Sequence, residues 1–403
     1  MQYIGLTPFV MNILYLKKSE ERRLLAGHLW IYSNEVDVKK SPLSSFKPGE
    51  LILIKNSQDQ SLGIGYINPR TLLCARLLTR NSGESIDVAF FEKKFLTALK
   101  LRETLFKSLF YRLIFGEGDY LPGLVIDRFG DFFVVQLNTW GMENLKPLIV
   151  EALNNIFKPK GIIFRNDTSS RQLENIPSEE IVVEGEVPEE IELVENKAKF
   201  LVSLIQGQKT GWYYDQFLNR QRLKEYVTGK TLLDVFSYIG AWGIQGALAG
   251  AKKVVCVDSS QRALDCVQKN AALNGVSDRM SVIKGDASTV LKTLHTEKEK
   301  FDVVIVDPPA FIKAKRDINQ GMIAYAKVNE EALRLLSPAG ILFSASCSMH
   351  LSDELLLNIL RKASLKTKRP LSIIERLHQA PDHPIHPAIH ETHYLKGYVA
   401  FVE

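Results

Sequence analysis

Four apolar runs between Leu232 and Pro309 each stop on an acidic side chain. LLDVFSYIG carries Asp234, VVCVD carries Asp258, VIKGD carries Asp286 and VVIVDPP carries Asp307. An ionised carboxylate only accepts hydrogen bonds, so four of them around one crevice suit a ligand rich in donors. Asp258 is placed to accept from ribose hydroxyls and Asp286 from an adenine amino group. Asp234, Phe236, Tyr238 and Gly240 lead from the first run into a helix. Gly240, Gly243 and Gly246 are expected where backbone must come close to a ligand. A dinucleotide fingerprint would read G-x-G-x-x-G, whereas this chain has G-x-x-G-x-x-G behind two bulky aromatics, so no pyrophosphate cradle is expected. An adenosine ligand without a phosphate clamp remains, and that ligand is S-adenosylmethionine.

The second half of the chemistry lies in Asp307-Pro308-Pro309-Ala310-Phe311 and in Cys347 of FSASCSMH. Two prolines stiffen the chain after Asp307, which holds a carboxylate and nearby carbonyls towards a flat substrate, and Phe311 can stack on a base. Carbon-5 of cytosine is a poor nucleophile until something adds to carbon-6. A thiolate can add there and leave again, which assigns Cys347 as a covalent catalyst and Asp307 as its partner at the pyrimidine edge. Cys74, Cys256 and Cys266 read as packing residues. The base that removes the carbon-5 proton has no sequence signature.

The elements that must carry these residues follow from periodicity. Near-continuous apolar strands separated by helical segments mark a parallel sheet buried on both faces, with ligands at the carboxyl ends of the strands. Ser259 or Ser260 is placed to cap the helix QRALDCVQKNAALN, and Gly275 to end it. Strands at MSVIKGD, FDVVIVD and GILFSASCS continue the alternation. LSIIERL and YLKGYVAFV predict an antiparallel pair closing the sheet. Ahead of this α/β region, FFEKKFLTALKLRETLFKSLF has helical spacing. VIDRFGDFFVVQL reads as a hairpin turning at FGD, and ELVENKAKFLV as another. The eight glutamates between 179 and 195, with no basic residue among them, predict an acidic surface or linker. The first segment, with turn chemistry at KPGE and INPR, predicts a small β-rich barrel ending near Arg80.

The chain has 403 residues, 45% of them hydrophobic. It is long enough for two or three domains and lacks an apolar run of the roughly 18 to 20 residues that a membrane span requires. Residues 1–80 hold 11 Lys and Arg against 6 Asp and Glu, which accounts for the whole chain's net charge of +5. A basic first domain ahead of a balanced body points to a polyanion partner. Four cysteines without a Cys-x-x-Cys, and no secretory signal at the start, predict a reduced, cytoplasmic protein. His383, His386, His390 and His393 have near metal-ligand spacing, but Pro381, Pro384 and Pro387 interrupt them, so a rigid loop rather than a metal site is expected.

DVFSYIGAWGIQGA, the DPPAF loop, SCS, the closing APDHP and YLKGY, and QKTGWYYDQFLNR at 208–220 resemble the RlmI-type 23S rRNA (cytosine-C5)-methyltransferases. GHLWIYSNEV and FGEGDYLPGLVIDRFGD extend the likeness over nearly the whole chain. The resemblance implies a PUA-like RNA-binding domain at 1–80, a central α+β domain at 81–190 and a Rossmann-like class I methyltransferase domain at 191–403, often in a homodimer. It implies S-adenosylmethionine as cofactor, large-subunit rRNA as partner and no metal. It puts Cys347 at the nucleophile position, with Lys209, Tyr213, Asp215 and Gln216 lining the methionine end of the cofactor and Pro308, Pro309 and Phe311 on the substrate side. Phe217 departs from relatives that carry Arg there, with Arg220 close behind. Two rivals stand beside this reading. One is an rRNA enzyme acting on a purine, at guanine nitrogen-7 or an exocyclic amine, with Cys347 as packing. The other is a non-catalytic RNA-binding assembly factor.

Overall fold

A computed structural model describes residues 11–177 and 181–403. The chain divides into two units. One takes the chain up to Glu189 together with Leu204–Trp212 and Asp382–Thr392. The other takes Glu190–Ser203, Tyr213–Pro381 and His393–Glu403.

The first unit holds two five-stranded sheets. Strands β1 (Asn12–Tyr15), β2 (Trp30–Tyr32), β3 (Glu50–Lys55), β4 (Ser61–Ile67) and β5 (Leu73–Thr79) lie in the order β1-β3-β4-β5-β2. They close over an apolar cluster that includes Leu14, Ile31, Ile52, Ile54 and Cys74. Strands β6 (Phe110–Phe115), β7 (Leu124–Phe129), β8 (Phe132–Leu137), β9 (Gly161–Phe164) and β10 (Val182–Gly185) run β10-β9-β8-β7-β6. Gly130 supplies the positive φ, 66°, of the FGD turn between β7 and β8. The expected helix forms at Val88–Leu105, capped by Asp87, which accepts from the Phe90 amide at 3.0 Å. It packs on the helix Lys146–Phe157, whose sequence signal is Pro147 in its first turn.

The second unit opens with the hairpin β11 (Ile191–Glu195) and β12 (Ala198–Val202), turned by Asn196 and Lys197 at φ of 50° and 72°. Its main sheet has seven strands: β13 (Thr231–Val235), β14 (Lys253–Asp258), β15 (Met280–Lys284), β16 (Phe301–Val306), β17 (Leu336–Ser346), β18 (Leu371–His378) and β19 (Lys396–Val402). The order is β15-β14-β13-β16-β17-β19-β18. The first five are parallel, and β19 lies antiparallel between β17 and β18. The order reverses at β13, so the carboxyl ends of β13 and β16 border the crevice where ligands bind in such sheets. Leu232, Leu233, Val235, Val304 and Val306 are fully buried, each side chain contributing roughly 1.5–3 kcal/mol by leaving water.

Two expectations need correction here. The glutamate run is not a uniform acidic linker. Glu184 lies in β10, Glu192 and Glu195 lie in β11, and buried Glu195 pairs with Arg220. Glu179 and Glu180 lie outside the described residues. The glycines also do different work from one another. A Cβ at Gly243 would meet Cys256 Sγ at 2.6 Å, and one at Gly246 would meet Leu232 Cδ2 at 2.4 Å. Both are there to seat the helix Ala241–Leu248 against the sheet rather than to admit a ligand. Among the described residues no helix is long and apolar enough to cross a membrane.

Candidate active site

The turn after β13 is the most strained stretch of the second unit. Phe236, Tyr238 and Gly240 all have positive φ, of 66°, 49° and 85°. Side chains as bulky as Phe and Tyr seldom adopt that backbone, and it persists only where the surroundings enforce it. The enforcement is visible: the amides of Phe236 and Ser237 both donate to the Val257 carbonyl at 3.0 Å. The Tyr238 amide donates to Asp258 Oδ2 at 2.9 Å.

Asp234 ends β13 completely buried. One carboxyl oxygen accepts from the Gly243 amide at 2.9 Å, and the other has no hydrogen-bond partner among the described residues. Burial pushes its carboxyl up to about 7, with Asp307 and Asp258 adding repulsion against the Gly243 hydrogen bond. Asp258, half-buried at the tip of β14, also accepts from the Ser260 amide at 2.9 Å, and Ser260 is the residue that caps the following helix. Asp286 is exposed and caps the helix Ala287–Thr296, accepting from the Thr289 amide at 3.1 Å.

Asp307, beyond the end of β16, is held from two sides. Gln216 Nε2 donates to Oδ1 at 2.9 Å and the Trp242 indole N–H donates to Oδ2 at 3.0 Å. Burial pushes its carboxyl up to about 6 against those two donors, and Asp215 raises it further. Gln216 is itself fixed, accepting from Asn219 at 2.6 Å. Both ends of its amide therefore hold protein partners. Asp215 is buried and accepts from the Tyr394 hydroxyl at 2.5 Å. Tyr213 meets the Tyr238 ring edge-on at 5.8 Å. Burial raises its phenol far above the usual range, with Tyr238, Asp215, Cys347 and Asp307 all acting on it. Tyr213 thus interacts with four of the other expected residues.

Cys347 follows the last residue of β17 and is partly exposed, its Sγ 3.9 Å from the Pro308 carbonyl. The serines on either side of it lock the turn. Ser346 Oγ donates to the Tyr325 hydroxyl at 2.8 Å, that hydroxyl lies 2.8 Å from Ser348 Oγ, and Ser348 Oγ accepts from the Ile312 amide at 3.1 Å. One network thus ties the Cys347 turn to the DPPAF loop. Pro309 is exposed and Pro308 buried. Phe311 packs on Tyr325 at 4.8 Å and edge-on to Phe236 at 6.1 Å, so its inner side already belongs to the protein.

Lys209 sits in Leu204–Trp212, a segment of the first unit, with φ of 49°. Arg220 does not stand in for the Arg absent at 217. It is buried against Glu195 at 2.5 and 2.7 Å and donates to the Tyr213 carbonyl at 2.8 Å. The histidine loop also serves structure: His383 pairs with Asp382 at 2.8 Å and His386 Nδ1 meets the Ala388 amide at 3.2 Å. Among the described residues no group of three or more His, Cys, Asp or Glu could hold a metal. Sequence reasoning missed Trp242, Asn219, Tyr325 and Tyr394. Only Trp242 left a signal, as an indole one residue inside the helix that follows a strained turn.

Comparison with known proteins gives a consistent picture. Residues 175–396 match the model for S-adenosylmethionine-dependent methyltransferases, and residues 14–80 match that for a PUA-like domain. The ribosomal RNA large subunit methyltransferase I of Klebsiella pneumoniae (strain 342) is 36% identical over 394 residues, 96% of this chain and 98% of that one. The protein of the same name from Aeromonas salmonicida (strain A449) is 37% identical over 392 residues, again 96% and 98% of the two chains. Among solved structures, SMU.776 complexed with SAH superposes with a TM-score of 0.83 at 21% identity, covering 97% of this chain and 100% of the other. At that identity the likeness is one of fold.

Proposed function

Because the chain belongs to the S-adenosylmethionine-dependent methyltransferases, in the family of ribosomal RNA large subunit methyltransferase I, we propose that it methylates carbon-5 of a cytosine in large-subunit rRNA, with Cys347 as nucleophile, in the cytoplasm. S-adenosylmethionine supplies the methyl group. Its fit to these residues rests on Asp234, whose second carboxyl oxygen finds no donor in the described chain, and on the strained turn Phe236–Gly240. The turn, Asp258 and Asp286 would hold the adenosine, while Tyr213 and Asp215 would border the methionine end. The PUA-like domain and the basic excess of residues 1–80 support RNA as the partner.

In this reading the Cys347 thiolate adds to carbon-6 of the cytosine, which makes carbon-5 nucleophilic towards the methyl group. Asp307 works at the pyrimidine edge. With its carboxyl near 6, a fraction keeps the proton close to neutrality, and a protonated carboxyl donates where negative charge builds. A base then takes the carbon-5 proton and the thiolate departs as the ring double bond returns. Pro309 and Phe311 would form the wall against which the base lies. The observation that carries the reading is the Cys347 turn, tied by Tyr325 and Ser348 to the loop that bears Asp307.

The test is methyl transfer from labelled cofactor to large-subunit rRNA lacking the modification, followed by nucleoside analysis, for wild type and Cys347→Ala. Wild type should yield labelled 5-methylcytosine and the variant only background. A labelled purine made equally by both proteins would overturn the nucleophile and the base assignment while keeping the cofactor.

A further inference from the structure

The antiparallel pairing of β17 with β19 sets Lys396 opposite Ser346, one residue before Cys347. Lys396 is only 3% exposed. Its ammonium donates to the Ser348 carbonyl at 3.0 Å and to the Leu351 carbonyl at 2.6 Å, and it makes no ion pair among the described residues. Two neutral carbonyls satisfy two of its three N–H donors but none of its charge. A buried cation is costly unless an anion accompanies it. Burial accordingly pushes the Lys396 ammonium below its usual range, and the two groups that push it back up are Asp353 and Cys347.

We propose that Lys396 is a positioning residue for Cys347: its buried ammonium clamps the turn Ser348–Leu351 through two carbonyls and supplies the positive charge that stabilises the Cys347 thiolate. The inference rests on the reading of Cys347 as nucleophile. The thiol proton leaves to solvent, and no bond to Lys396 forms or breaks. Among the described residues, Tyr325 from the helix Ile318–Leu335 and Tyr213 from the segment before β13 also act on the thiol, and burial raises both phenols. Asp307 and Asp215 act on Tyr213 as Cys347 does, and Asp353 acts on Lys396 from the helix Asp353–Thr367. Asp307, when ionised, opposes the thiolate, which makes a buried cation bound to the same turn the more consequential.

The experiment titrates the thiol directly. In full-length protein carrying Cys266→Ser, which removes the other partly exposed cysteine, the rate of iodoacetamide alkylation at Cys347 is followed from pH 5 to 10 by peptide mass spectrometry. Lys396→Met should move the midpoint up by about one pH unit or more and lower the rate near pH 7 about tenfold. Lys396→Arg, which keeps the charge, should hold the midpoint near that of the parent. Lys396→Gln keeps donors for the turn without the charge. It should behave like the Met variant, and it serves as the comparison should that variant fail to fold. An unchanged midpoint in folded Met or Gln variants overturns the proposal. The titration needs no methyl transfer, so its outcome is separate from the nucleophile assignment. A midpoint that depends on Lys396 in a protein whose Cys347→Ala form stays active would uphold the coupling and remove the catalytic role. A midpoint indifferent to Lys396 alongside an inactive Cys347→Ala form would do the reverse.

Discussion

The four acidic strand tips look alike in sequence but differ across the sheet. On the flank, Asp286 follows edge strand β15 and is exposed, doing what Asp commonly does ahead of a helix: it caps. Asp258, one strand inward, fixes two backbone amides and is half-buried. At the centre, Asp234 lies near the end of β13 and Asp307 follows the neighbouring β16, and burial raises both carboxyls, to about 7 and about 6. Position in the sheet, rather than residue type, decides which carboxyl desolvation raises. Strands packed on both faces leave the tips of central strands no water to relax into, and the charged form becomes expensive there.

The sharpest way to break this contrast is to remove the donors that keep Asp307 usable. Trp242→Phe deletes one hydrogen bond to a carboxylate, and Gln216→Leu deletes the other. Each such bond is worth roughly 1.5–3 kcal/mol, so methyl transfer should fall by about ten- to a hundredfold in either variant. Its alkaline limb should also move to higher pH, because the donors hold the carboxyl down against burial and the proposed role uses the protonated form. Cofactor affinity by calorimetry should stay near wild type. If Gln216→Leu instead loses cofactor binding with an unmoved pH profile, Gln216 is a cofactor contact and Asp307 is tuned by something else.

A second effect is expected from Asp234, and it appears in stability. Its carboxyl titrates near 7 in the folded chain against 3.8 for the free group. Between those values the folded state holds a proton that the unfolded state has lost. Its contribution is therefore fully present below about pH 4 and is lost as pH rises through 7. At about 1.4 kcal/mol per pH unit, the loss is on the order of 4 kcal/mol at most. Asp234→Asn keeps an acceptor for the Gly243 amide but does not ionise, so denaturant midpoints without cofactor should fall less between pH 4 and 7 than in wild type. Equal slopes for the two proteins would show that Asp234 is not the buried titrating group.

Much of this arrangement is legible in the sequence, for stated reasons. Apolar runs that end in Asp report a doubly covered parallel sheet, and the order of those runs brings their tips together. The residues that orient them are less legible. Gln216, Asn219, Trp242 and Tyr325 reach the site from segments distant in sequence, and a polar or aromatic side chain carries no local mark of its partner. The glycines show the opposite error. Gly243 and Gly246 fit a ligand-approach pattern, yet helix-on-strand packing demands the same missing Cβ. Lys396 carries no local mark either, because nothing in YLKGYVAFV says that β19 lies inside the sheet.

The flank supplies the mildest test. Asp286 accepts from the amide and hydroxyl of Thr289 through the same oxygen, leaving its other oxygen for a ligand amino group. If capping is its main task, Asp286→Ala should lower stability by about 1 kcal/mol with or without cofactor, and Asp286→Ser, which still caps, should recover most of that loss. If it also holds the adenine, cofactor affinity should fall in both variants, because Ser restores the cap but cannot reach a ligand beyond it. A Ser variant with full stability and weakened cofactor binding would place chemistry at the edge of the sheet as well as its centre. Full affinity in the Ser variant would confine cofactor recognition to the inner three strand tips.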